Sequence, residues 1–143
     1  MQKNDPIIDG LLNAMEALSK SEHEKAQIEL YYRDLLTLQI FKVSEVRNWS
    51  LKLPFKFENE FIVAFVFQRK WFKKNFHKAF KKLEESNEFF LVNYKKARVK
   101  MYYKELNSNK SNKEIVEYLH TTLFKFCPAD GKSPVDVFLR EYD

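Results

Sequence analysis

The chain has 143 residues, 25 of them Lys or Arg and 20 Asp or Glu, which leaves a net charge of +5. That length suits one domain, residues 1–143, able to bury about 68–70% of the surface its unfolded chain exposes. A single cysteine excludes a disulfide framework or a Cys-rich zinc site, two glycines leave no phosphate-cradling loop, and the longest apolar run, Phe61 to Phe67, is too short to span a membrane.

The N-terminal "MQKNDPIIDG" carries an acid where a secretory leader would continue its apolar run, so a cytoplasmic location is expected. Asp5-Pro6 reads as a helix start, with a capping side chain before proline at the first helical position. Ile7, Ile8, Leu11, Leu12, Met15 and Leu18 follow at helical spacing. Ser21-Glu22-His23-Glu24 has the form of a capping box, which predicts a second helix running to about Val46. Ile28, Tyr31, Leu35 and Leu38 place apolar residues on nearly every side of that helix. Residues 5–46 are thus expected to form a helical hairpin whose second helix packs on several neighbours.

In "SLKLPFKF", Leu51, Leu53, Phe55 and Phe57 alternate with other residues, which predicts a strand with one buried face. Pro54 confines that strand to an edge or a bulge. "FIVAFVF", residues 61–67, reads as a strand covered on both sides. Next comes "QRKWFKKNFHKAFKKLEESN", with six lysines and one arginine and no acid before Glu84. Phe72, Phe76, Ala79, Phe80 and Leu83 share one arc of its helical wheel, and lysines fill the rest. "FFLVNY" and "ARVKMYY" alternate again and predict a second hairpin, turning at Lys95-Lys96. Ser111-Asn112-Lys113-Glu114 is a further capping box, leading Ile115, Leu119, Leu123 and Phe126 along one helix face. Ser133-Pro134 suggests a short last helix.

The fold predicted is α+β in the order α-α-β-β-α-β-β-α-α. It comprises an N-terminal helical hairpin, a four-stranded antiparallel sheet from two β-hairpins separated by a basic amphipathic helix, and C-terminal helices.

Charge is concentrated in the middle of the chain. Residues 68–110 hold 13 basic and 4 acidic side chains, a local charge of +9, while the segments on either side are each at −2. Arg69, Lys70, Lys74, Lys78, Lys81 and Lys82 surround the apolar arc of the basic helix and could neutralise phosphates, each releasing a counterion. Trp71 lies outside the Phe arc, close to Lys78 and Lys82, where it could stack on a base. A two-residue turn at Lys95-Lys96 would put Phe89, Arg98, Lys100, Tyr102 and Lys104 on one sheet face. If that face is open, its rings and cations form a platform for single-stranded nucleic acid.

Catalytic motifs are absent from the sequence. His23, His77 and His120 have no second histidine or acid at a metal-ligand spacing, and Cys127 reads as a structural thiol. The expectation is a non-catalytic nucleic-acid-binding protein that uses residues 69–104, with RNA or single-stranded DNA favoured over duplex. It needs no cofactor, metal or membrane. The alternative is a protein-interaction or assembly module, an accessory or inhibitor protein. Its N-terminal helices would form the interface, to a second copy or to an acidic partner.

Overall fold

A computed structural model describes residues 6–23, 25–32, 35–47, 49–50, 52–68, 74–126 and 135–142. In chain order the elements are α1 (Pro6–Lys20), β1 (Lys25–Tyr32), β2 (Leu35–Lys42), α2 (Val43–Val46), β3 (Phe61–Gln68), α3 (Lys74–Glu85), β4 (Phe90–Tyr94), β5 (Val99–Glu105), α4 (Asn112–Phe126) and β6 (Val135–Tyr142). The strands form one sheet in the order β4-β5-β3-β2-β1-β6, with every neighbouring pair antiparallel. The class is α+β, but six strands replace the four expected.

The largest correction falls on residues 22–46. Lys25–Tyr32 and Leu35–Lys42 pair instead as a β-hairpin, with Ile28 opposite Ile40 and Leu30 opposite Leu38, and Val43–Val46 is the part that is helical. Apolar residues on every side of a helical wheel are also what a strand covered on both faces displays. Ala26, Ile28, Leu30 and Tyr32 alternate along β1 into one core. Ser21 does not cap a helix. Its hydroxyl accepts the N–H of His23 at 3.3 Å, a tight turn into β1, and donates to Glu141 at 3.1 Å.

Two further expectations change. Residues 135–142 are a strand: Val135, Val137 and Leu139 alternate toward the core while Asp136, Phe138 and Arg140 face away. Residues 52–57 alternate but join no ladder. They lie across the sheet as a strap, with Leu53 buried and Phe55 and Phe57 packed beside it. Glu105 fixes the strap by accepting the N–H groups of Phe57 at 3.3 Å and Asn59 at 2.9 Å. Arg47 donates to the Phe57 carbonyl.

The three long helices share one face of the sheet. Leu11, Met15 and Leu18 of α1, Leu83 of α3, and Val116, Leu119 and Leu123 of α4 meet Ile28, Leu38, Ile40, Val63 and Phe65 in the main core. The α4 start follows its sequence signature: Ser111 Oγ accepts the Glu114 N–H at 3.2 Å and donates to its carboxylate at 3.3 Å. The opposite face is covered only in part, where α2, Trp49 and the strap pack on Phe41, Ile62, Ala64 and Tyr103. Beyond that cover, Glu29 is nearly buried on β1. It accepts from Gln27 at 2.5 Å, Tyr31 at 2.9 Å and Arg140 at 2.5 Å, which ties β6 to β1. Burial and the Glu29 carboxylate raise the Tyr31 pKa.

Glu45, in α2, has one carboxylate oxygen buried with no hydrogen-bond partner among the described residues. Burial raises its pKa above the ordinary 4.5, against the pull of Lys25 and Lys42. A carboxyl raised in the folded state favours folding at low pH, and that contribution is lost as pH climbs through the folded value. Glu45→Gln is therefore expected to raise Tm at neutral pH. It should have little effect below pH ~4, where both states are protonated. Thermal melts at the two pH values measure the difference.

Candidate nucleic-acid interface

Antiparallel pairing brings the basic elements to one end of the sheet. Gln68, the last residue of β3, pairs with Val99, and Val99 pairs with Tyr94 across the hairpin turn at residues 95–98. Only five residues separate Gln68 from the start of α3, so the first turn of α3 lies within roughly 20 Å of Gln68. At its far end α3 is pinned to the sheet, where Tyr102 donates to Glu84 at 2.8 Å. Lys78, Lys81 and Lys82 on α3 are exposed, and so are Lys95, Lys96 and Arg98 in the turn. The sequence marks Lys95 and Lys96 only as turn residues. Their exposure beside the end of β3 adds them to the basic surface.

The hairpin differs from its predicted register by two residues. Four residues, not two, form the turn, and Arg98 occupies a left-handed backbone conformation at φ 56°. Lengthening by two preserves parity, so Leu91, Asn93, Lys100 and Tyr102 still share a face. That face is the one the helices cover, which corrects the expectation of an open platform. Tyr102 is 1% exposed and sits in the main core. Burial, then its bond to Glu84, raises its pKa far above the ordinary tyrosine value.

The neighbours of Tyr102 are engaged as well. Lys100 pairs with Glu84 at 3.4 Å. Lys104 donates to the Tyr118 hydroxyl at 2.8 Å and lies 3.6 Å from Glu88. Phe89 packs edge-on against Phe65 at 5.6 Å. Of the twelve residues singled out from the sequence, Lys78, Lys81, Lys82 and Arg98 are exposed cations, while Phe89, Lys100, Tyr102 and Lys104 serve the interior or its rim. Arg69, Lys70 and Trp71 lie outside the described residues, as do Phe72, Cys127 and the side chains of Lys74, Phe76, His77, Ala79 and Phe80.

Accessible rings are found on the opposite face. A shallow pocket of about 430 Å³ is lined by Gln39, Phe41, Trp49, Ser50, Tyr94, Met101 and Tyr103. Its floor follows from register: β3 presents only Ala64 between Gln39 of β2 and Tyr103 of β5. Trp49 bridges that gap, edge-on to Phe41 at 4.9 Å and to Tyr103 at 6.4 Å. The Tyr103 and Tyr94 hydroxyls are 3.0 Å apart, and the former also reaches Met101 Sδ at 3.4 Å. Burial, then the contact with Tyr94, raises the Tyr103 pKa. This pocket draws on β2, β4, β5 and the residues after α2. The sequence does not reveal it, because its pattern puts Gln39 and Phe41 in a helix.

Among the described residues, no group of three or more His, Cys, Asp or Glu is arranged to hold a metal ion. No helix among them is long and apolar enough to cross a membrane. Compared with family models, curated proteins and solved structures, the chain matches none.

Proposed function

We propose that this protein binds nucleic acid without catalysis, through the basic end formed by α3 and the β4–β5 turn. The observation that carries the reading is the local charge of +9 over residues 68–110, combined with six exposed cations on those two elements. Acids offset this surface only in part: Glu84 and Glu88 are engaged by Lys100, Tyr102, Lys104 and Tyr118, and Glu85 at the end of α3 is exposed. Lysines presented in this way neutralise phosphates and release counterions, so affinity should fall steeply with salt. Fluorescence anisotropy with labelled single-stranded DNA, duplex DNA and RNA at two salt concentrations tests it. Failure to bind any of the three at low salt would refute it.

A second reading, assembly with another protein or a second copy, is favoured by the β4 edge. Of the four large apolar residues that are exposed among the described residues, Phe90, Leu91 and Tyr94 lie on this one five-residue strand. Its free side can accept another strand. The N-terminal helices no longer support that reading. Leu11, Met15 and Leu18 are spent in the core, and residues 25–42 are sheet. Sedimentation at two protein concentrations separates a self-associating chain from a monomer.

A further inference from the structure

We infer that the pocket beneath Trp49 and Tyr94 receives one unpaired base of a single-stranded nucleic acid, whose phosphates run over the 95–98 turn. The inference rests on the nucleic-acid reading and assigns to it a base-binding site on the opposite face of the sheet from α3.

Shape, chemistry and position each support that occupant. The pocket, about 430 Å³ and widely open to solvent, falls in the size range of small-ligand sites. Trp49 and Tyr94 provide aromatic surface, and Tyr103 is held in place by the Tyr94 and Met101 contacts. Among the described residues, no charged side chain lines it. A cation such as a methylated ammonium would find rings but no carboxylate to offset its lost hydration, whereas a neutral heterocycle leaves no charge unpaired.

Gln39 gives the pocket a polar reader. Gln39 lines the pocket and its side-chain amide makes no hydrogen bond among the described residues, so it can offer a donor and an acceptor to the edge of a base. Lys95 and Lys96 follow Tyr94 directly and are exposed, one or two residues from the stacking surface. A phosphate attached to a base in the pocket therefore meets positive charge. Duplex DNA keeps its bases stacked and cannot fill the site without flipping one out.

The test compares labelled oligo(dA) and oligo(dT) of about 10 nucleotides, a length in the range of one single-strand module, with a duplex of mixed sequence. Tyr94→Ala is expected to weaken single-strand binding by about 5- to 150-fold, the equivalent of one lost base stack. Tyr94→Phe, which keeps the ring, should retain most of the affinity, and duplex binding should be the same in all three proteins. In a Trp71→Phe background Trp49 is the sole indole, and its emission should be quenched by single strands and not by duplex.

Unchanged single-strand affinity in Tyr94→Ala, or a Trp49 emission indifferent to single strands, overturns the inference. If that happens while binding remains salt-dependent, the pocket is wrong and the basic interface stands. If neither strand form binds the parent protein at low salt, both fall together. Should Tyr94→Ala fail to fold by circular dichroism, Gln39→Leu replaces it. It is expected to erase any difference between oligo(dA) and oligo(dT), and a difference that survives counts against the site.

Discussion

Tyr102→Ala is expected to destabilise the protein by about 3–5 kcal/mol, the range for deleting a large buried ring. Tyr102 is 1% exposed and lies opposite Phe65 on β3 and Leu91 on β4. It also joins two layers, because its hydroxyl, beside Lys100, holds Glu84 of α3 to the sheet. Tyr102→Phe keeps the ring and should cost about 1 kcal/mol, since Glu84 is exposed enough to regain water and still has Lys100 nearby.

The same hydroxyl predicts a response to alkali. Burial raises its pKa above the ordinary 10.0, so the folded state keeps the proton that the unfolded state releases. The contribution is complete below pH 10 and is lost as pH rises above it. Tyr102→Phe should therefore flatten the fall in stability on the alkaline side, measured by urea unfolding at pH values on either side of 10. Had Tyr102 been a stacking residue on an open face, Tyr102→Ala would have left stability unchanged.

The second large effect concerns binding. Lys78→Glu, Lys81→Glu and Lys82→Glu combined should leave the protein folded, because all three side chains are exposed and none is part of the core. Reversing them removes three phosphate partners and adds three repulsions. The slope of log affinity against log salt should shrink by about 0.9 for each lost contact, roughly three in all if each lysine meets one phosphate. Affinity at low salt should fall by more than tenfold. A triple variant that binds with the slope of the parent would place the phosphates elsewhere.

Much of the helix-covered layer was legible because α1 and α4 announced themselves twice, by spacing and by a start signal, while α3 showed itself by spacing alone. Pro6 opens α1, and the Ser111–Glu114 box opens α4. The β4–β5 hairpin was legible through alternation, and its faces held even though its turn is two residues longer than expected. Alternation fixes which side chains share a face; it says nothing about where helices come to rest. That gap is why the sequence points Tyr102 to an open platform and gives no sign of Trp49. The β1–β2 hairpin was hidden by its own burial. Central strands with apolar side chains on both faces lose the period that identifies a strand, and Leu-rich stretches beside Glu and Lys resemble a helix. At the C-terminal end Ser133-Pro134 had the look of a helix start, and the alternation of Val135, Val137 and Leu139 was outweighed.

The pairing of β6 with β1 has a consequence for how the chain reaches its fold. β1 through β3 are joined to immediate neighbours, but Lys25 must find Tyr142 at the far end of the sequence. Closing so long a loop is slow compared with forming local hairpins. During synthesis, the sheet from β4 to β1 can assemble while β6 is still being made. In that interval β1 is an unprotected edge, with Ala26, Ile28 and Leu30 alternating along it. β6, made after the other five strands, is thus the one that shields β1 from pairing with another nascent chain.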